Sequence, residues 1–389
     1  MKRNRVYYFD GLRGVAALIV VFSHVLLLFY PSTFNGKISN SHGTFIESWY
    51  AFSPLNIFSN GDFMVCIFFV LSGYVLGKKY FITKQVAELT SGMIKRYFRL
   101  AIPVVATVLL SYLLFVNNLY FHKQIVSITL SDDWLLTLFN IKHLFISEAI
   151  YNGFIGVFVG REFSYNNVLW SVRIEFWGSM VVYAIWAVYD KCNKQAKYVW
   201  LLLFVLLPIF AETYYLGLLM GLAILYFEQY LIKTMTTKWK IAMLIIAFVL
   251  GSVPSFKEIP DGTLYYFFFF GIRSHALIAL YHIVAASCLI IVVMCSGKLQ
   301  LFFQNPICLF LGKISFALYL LHLLVLCSFT SFLFLNFYKI MSYHSSVFIA
   351  VGITMPFMLL LAYIFTQSVD NFSIGFSSKI NEYIKKTLN

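Results

Sequence analysis

Apolar residues run through this chain in blocks close to the ~20 residues needed to cross ~30 Å of hydrocarbon, with few charges inside each. The blocks predict spanning helices at 12–30, 61–81, 100–121, 167–189, 198–211, 213–231, 240–253, 274–296, 312–336 and 346–368. Those at 198–211 and 240–253 are short for a span. The pattern predicts an all-α, polytopic integral membrane protein with about ten transmembrane helices. No linker rich in Pro, Gly or Ser and no internal repeat interrupts it, so residues 1–389 read as a single membrane domain without a separate soluble domain. The first block has no small-residue cleavage pattern and reads as a span, not a removable signal peptide.

Composition agrees with this pattern. Hydrophobic residues are 61% of the chain and charged residues 12%, against roughly 45–50% and 25% in soluble domains. One water-soluble core could not hold that much apolar surface. The net charge of +13 would suit nucleic acid if it formed a clear basic face, but its placement reports topology instead. Twenty of the 29 Lys and Arg fall in segments on the side of the amino terminus, seven on the far side, and Arg13 and Arg173 lie inside blocks. This inside excess predicts both termini in the cytoplasm and an even number of spans. The six cysteines show no C-x-x-C spacing and read as packing residues, not metal ligands.

Titratable side chains within spans cost at least ~2.5–3.5 kcal/mol each on insertion scales, which makes each a functional candidate. They are Arg13 and His24 in the first block, Arg173 and Glu175 in the fourth, His322 in the ninth and, less prominently, His282 in the eighth. Arg13 and His24 share a helix face and stand ~16 Å apart along it, at two levels of one shaft. Glu175 is expected ~10 Å and His24 ~12 Å below the outer surface. That depth match predicts an imidazole–carboxylate pair, the arrangement of a general base whose tautomer is held. The bland alternative is ion pairs and interhelical hydrogen bonds that join spans. Arg173 points to another side of its helix and needs a different partner. Tyr319 and His322 share a face, while Ser72 and Gly73 form a small polar break in the second block. The outer segments 31–60, with Trp49 and Tyr50, and 122–166, with Trp134, Glu148 and Tyr151, read either as a sugar-binding surface or as an interfacial aromatic belt.

The same residues carry a resemblance to the acyltransferase family 3 membrane proteins, which O-acylate surface polysaccharides and related glycans. Phe9-Asp10-Gly11-Leu12-Arg13-Gly14 followed by Ser23-His24 resembles the family's "DGLRG…H" start, and Phe68 to Gly73 its "FFxxSG" element. Lys95-Arg96-Tyr97-Phe98-Arg99-Leu100 with Pro103 resembles "RxxRLxP". Leu169 to Phe176 is similar to "LWSLxxEF" and Ser315 to His322 to "SYxLYLxH". Five elements in order, from residue 9 to 322, cover nearly the whole chain. Arg173 departs from the neutral residue or Pro expected at its place.

The resemblance implies an O-acyltransferase, most simply an O-acetyltransferase. It would use acetyl-coenzyme A (or another acyl-CoA) from the cytoplasm, no metal, and a surface or lipid-linked carbohydrate as acceptor on the outer face. It implies a multi-pass protein of a bacterial inner membrane, in contact with lipid and not with nucleic acid. His24 and Glu175 would be catalytic. Arg13, Ser72, Gly73, Lys95, Arg96, Arg99, Tyr319 and His322 would attend the donor, with Lys95, Arg96 and Arg99 on its phosphates. Asp10, Trp170 and Arg173 would attend the acceptor. Without the resemblance, the basic cluster reads as positive-inside topology or lipid contact. The rival function is a transporter or flippase for a sugar or lipid-linked glycan, although the repeats and paired broken helices of such folds are not visible.

Overall fold

The computed structural model describes residues 6–43, 45–131, 133–141, 143–189, 212–255, 263, 265–269 and 274–388. Every regular element among them is helical. The principal helices are α1 (Tyr7–Phe29), α2 (Gly61–Thr83), α3 (Val86–Val116), α4 (Leu169–Tyr189), α5 (Tyr215–Tyr226), α6 (Thr237–Gly251), α7 (His275–Met294), α8 (Pro306–Val325) and α9 (Tyr343–Phe365). α8 continues through a wider π-type turn, Leu326–Thr330, into Ser331–Tyr338, and α9 continues in the same way through Thr366–Asp370.

Among the described residues, six helices are long and apolar enough to cross a membrane: α1, α2, α3, α7 and the extended α8 and α9. A seventh arises if α5 and Glu228–Thr234, bent by 67° to each other, count as one broken span. Of the other expected spans, 198–211 lies outside the described residues, and 240–253 corresponds to the 15-residue α6. The 167–189 block forms the 21-residue α4, whose mean hydropathy Arg173 and Glu175 depress. The expected boundary between an inner basic segment at 82–99 and a span starting at 100 is corrected. The chain breaks at Lys84, which takes a left-handed conformation with φ 54°. It then runs as one helix of 31 residues from Val86. No Gly-Pro or Asn-Gly breaker lies between, so the basic residues are carried up into the bundle.

In lipid, helices associate through close packing more than through solvent exclusion, so small residues decide where backbones meet. α1 packs extensively on α8. A Cβ on Gly14 would stand 2.2 Å from the Gly312 nitrogen, and one on Gly312 would stand 2.3 Å from the Asp10 carbonyl oxygen. Gly11 likewise faces the Phe303 carbonyl, 1.8 Å from where its Cβ would be. α2 and α5 repeat the device: Cβ atoms on Gly73 and Gly221 would fall 1.9 Å from the Leu218 oxygen and 2.0 Å from the Val70 oxygen. Gly73, expected beside the donor, is where these two helices touch. At the amino-terminal end of α2, Asn60 caps the helix through Phe63 N at 3.1 Å. Its amide also donates to the carbonyls of Gly251 at 3.0 Å and Val253 at 2.9 Å, fixing α2 to the end of α6.

The segments that follow α1 and α3 fold back on these helix ends. Ser131 donates to the Leu28 carbonyl at 2.9 Å, and His42 Nε2 donates to the Thr129 carbonyl at 3.0 Å. The His42 ring stacks on Tyr343 with centroids 3.7 Å apart. His122 is buried edge-on against Tyr120 and Phe139, with neither ring nitrogen hydrogen-bonded.

Two outcomes are expected. Gly14→Ala forces α1 and α8 apart and costs about 1–3 kcal/mol, the usual range for overpacking. Gly352→Ala, with nothing within 4 Å of its added Cβ, leaves stability nearly unchanged; thermal unfolding in detergent compares the two. The second concerns acid. Burial, with Lys123 nearby, pushes His122 down to about 4. The unfolded imidazole titrates near ~6.5, so it binds the proton first. The native state therefore keeps its full stability above that pH and loses up to about 3 kcal/mol as pH falls toward 4. Denaturant titrations between pH 7 and 4 should show this slope, flattened in His122→Phe.

Candidate active site

Four helices and two connecting segments enclose a cavity of about 330 Å³ lined by His24, Asp62, Trp134, Trp170 and Tyr319, among others. α1 brings His24 to it, and α8, running in the same direction, places the buried His322 behind that ring. Gly14 meets Gly312 at the inner contact, and ten residues farther on each helix the two imidazoles meet, His322 Nε2 lying 3.3 Å from His24 Nδ1. The glycine contact thus sets the register that pairs the histidines.

Hydrogen-bond partners assign the protons. His322 Nδ1 lies 2.6 Å from the Tyr319 carbonyl. A carbonyl can only accept, so Nδ1 carries the proton and the neutral ring presents a lone pair at Nε2. His24 Nδ1 lies 2.9 Å from the Val20 carbonyl and must also be protonated. Its N–H is shared between that carbonyl and His322 Nε2. His24 Nε2 therefore holds the lone pair of the neutral ring and makes no hydrogen bond with any described residue. The Trp134 ring stands 6.1 Å away. An imidazole with one nitrogen anchored twice and the other basic and open to a cavity can remove a proton from a bound hydroxyl or thiol.

Asp62, in the first turn of α2, is the acidic side chain of this cavity among the described residues. Its charge acts on His24, His282 and Tyr319. His282 is buried behind it, with Nε2 2.9 Å from the Val253 carbonyl. Tyr319 hydrogen-bonds Ser171 at 2.8 Å and senses both Asp62 and Glu175, so it stands between two levels.

The second level lies deeper. Arg96 reaches Glu175 Oε1 at 2.5 Å, Ser72 Oγ at 3.2 Å and Ser179 Oγ at 2.9 Å. Ser72 itself donates to Glu175 at 3.2 Å, and Ser179 donates to the Glu175 carbonyl. Arg13 acts on Glu175, and Arg99 is surrounded by the charges of Arg96, Asp370, Arg13 and Glu175. Glu175 keeps 26% of its side chain accessible although it is paired. The cluster therefore borders an opening instead of a sealed core.

A family model described as an acyltransferase domain matches residues 6–366. The chain belongs to the acyltransferase 3 family. No curated protein and no solved structure matches it. Membership makes it a multi-pass membrane acyltransferase, and the family's motif residues now have places.

Arg13 and His24 are both carried by α1; His24 lines the cavity and Arg13 does not. The expected pairing of His24 with Glu175 is corrected. The partners of His24 are Val20 and His322, and those of Glu175 are Arg96 and Ser72. Trp170 lines the cavity, and Glu175, five residues beyond it, is ~8 Å deeper. Arg96, expected on phosphate at the inner surface, is buried and turned into the bundle. Lys95 and Arg99 flank it on α3, and Arg99 is exposed. Asp10, expected at the acceptor, lies at the amino-terminal end of α1 beside Gly312, ~21 Å along the helix from His24. Arg173 is not among the cavity-lining residues; it lies near Tyr215, its Nε buried without a hydrogen bond. Asp62 went unread because an acid in a helix's first outer turn looks like a complement to the helix dipole.

A double-mutant cycle on Arg96→Met and Glu175→Gln is expected to show a coupling of about 1–3 kcal/mol in unfolding free energy. Each single substitution should cost more than the double does beyond its partner, since it leaves one charged or polar group unmatched inside the bundle.

Proposed function

We propose that this acyltransferase is an O-acetyltransferase that passes an acyl group from cytoplasmic acyl-coenzyme A to a carbohydrate hydroxyl on the outer face of a bacterial inner membrane, with both termini inside. The observation that carries the reading is that His24 lines the cavity with its Nδ1–H held by Val20 and His322, which leaves Nε2 without a hydrogen bond to any described residue.

The donor enters from the opposite side. Arg13, Arg96 and Arg99 outnumber Glu175 and Asp370 at the inner level, which favours an anionic ligand there. Arg99 and Arg13, with Lys95 below, hold the phosphates. The Arg96–Glu175 pair with Ser72 shapes the opening, and the pantetheine arm passes Tyr319 to reach His24.

His24 Nε2 removes the proton of the sugar hydroxyl as its oxygen attacks the thioester carbonyl. The new C–O bond gives a tetrahedral intermediate. Its collapse breaks the C–S bond, and the leaving thiolate takes the proton back from His24. The products are the sugar ester and free coenzyme A thiol, and the base is regenerated. His322 keeps the His24 ring oriented through the cycle.

The test is purified protein in proteoliposomes with labelled acetyl-coenzyme A inside and a carbohydrate outside. His24→Ala is expected to lower kcat by ~10²–10⁴-fold, with His322→Ala causing a smaller fall in kcat and little change in the KM of the donor. Undiminished transfer by His24→Ala would refute the assignment. Sugar movement without any acylated product would mark a transporter instead.

A further inference from the structure

The charge of the outer cavity restricts what it can accept. Asp62 is the only charged side chain lining it among the described residues; no Lys or Arg does. Asp62 makes no hydrogen bond or ion pair with any described residue, and its neighbours His24 and Tyr319 are neutral in the assigned hydrogen-bond network. The rest of the wall combines apolar and aromatic side chains, with Trp134 and Trp170 facing the same space, and the uncharged polar groups of Ser23, Asn35, Ser131 and Asn167. The inner level is the reverse, three arginines around two carboxylates.

We infer that Asp62 is the acceptor-selecting residue of this cavity and that the acceptor is the uncharged terminal residue of a glycan, not an acidic sugar. This rests on the proposed acyl transfer to carbohydrate and deepens it. An ionised carboxylate is an acceptor-only group, so it pairs with sugar hydroxyls, each of which donates. The flat apolar faces of the two tryptophans match the C–H faces of a pyranose and leave its hydroxyls to the polar groups. One hydroxyl pinned by Asp62 would present a neighbouring hydroxyl to His24 Nε2. A uronate, phosphate or sulfate in the same cavity would place a second negative charge near Asp62 with no Lys or Arg of the described residues lining the cavity to balance it, and water-poor surroundings strengthen that repulsion. A volume of about 330 Å³ sits at the low end of the ~300–1,000 Å³ of ligand pockets, which suits one sugar residue. The same sign of charge also keeps the donor's phosphates out of the acceptor's chamber, so each substrate is admitted from its own side.

The experiment uses the full-length protein in proteoliposomes with acetyl-coenzyme A and matched methyl glycosides that differ only at C6, hydroxymethyl against carboxylate, in the gluco, galacto and manno series. Thiol release without sugar is measured alongside. Wild type is expected to acylate the neutral member of an accepted pair with kcat/KM at least tenfold above its uronate. Asp62→Asn, which is isosteric and removes no hydrogen bond seen within the protein, is expected to raise the KM for the neutral sugar and to bring the ratio toward one. Equal use of neutral and acidic members by wild type overturns the inference without needing a variant. An unchanged ratio in Asp62→Asn overturns the role of that residue. Failure of the parent reading is distinguishable, because it removes His24-dependent thiol release from acyl-coenzyme A altogether, and with it this inference.

Discussion

The parallel contact between α1 and α8 is the constraint on which the site depends. Gly11 and Gly14 let α1 lie against the backbone of Phe303 and Gly312, and no side chain could be added there without moving a helix. From that contact each helix advances ten residues to its histidine, so equal rise delivers His24 and His322 to one height. A shift of one residue in this register would move one imidazole by ~1.5 Å along its helix and rotate it by ~100°, enough to break a 3.3 Å contact. The glycines of the opening motif therefore belong to the chemistry through geometry, although none of them touches the cavity.

The second organising feature is the separation of charge by depth. Arg96, drawn into the bundle by an unbroken α3, meets Glu175 and two serines. A guanidinium offers five donors and cannot be neutralised at accessible pH. It is tolerable inside a membrane protein only when each direction of its fork finds an acceptor, and Glu175, Ser72 and Ser179 supply them. Having spent its carboxylate on Arg96, Glu175 is not available to His24. Tyr319 stands between the levels and is held by Ser171. In the proposed reaction it separates a cationic donor chamber from a cavity whose one charge is negative.

Much of this was readable from the chain. Hydropathy blocks placed most of the helices, and of the titratable residues within them His24 belongs to the outer level and Glu175 to the deeper one, whereas Arg173 belongs to neither. What sequence could not supply was rotation and partner choice. Depth alone suggested that His24 would meet Glu175, because His24 was counted from an inner end at residue 12, whereas α1 starts at Tyr7 and carries it ~8 Å farther; the start of α4 at Leu169 leaves the depth of Glu175 almost as expected. The block beginning at residue 100 hid the fact that α3 starts at Val86, so Arg96 read as a surface cation and the true partner of Glu175 was passed over. Asp62 was missed for a related reason: a search for charges inside spans skips an acid at the lip of one, yet a cavity that opens at the lip takes its electrostatics from there. Asp10, sharing a motif with Arg13, is separated from the acceptor by the length of its helix.

A neutral histidine pair is also the physically economical base for this depth. An imidazole–carboxylate pair placed beneath the outer leaflet would hold a charge permanently where insertion of charge costs at least ~2.5–3.5 kcal/mol. Two neutral rings avoid that cost in the resting state. In the proposed cycle positive charge develops on His24 only while a hydroxyl proton is in transit. At that moment the lone pair of His322, the Val20 carbonyl and the Asp62 charge all lie on hand to stabilise it. The stabilisation is thus concentrated in the transition state and not in the ground state, which is where it accelerates a reaction. By the same reasoning a permanent carboxylate contact to His24 would deepen the resting state as well and gain less.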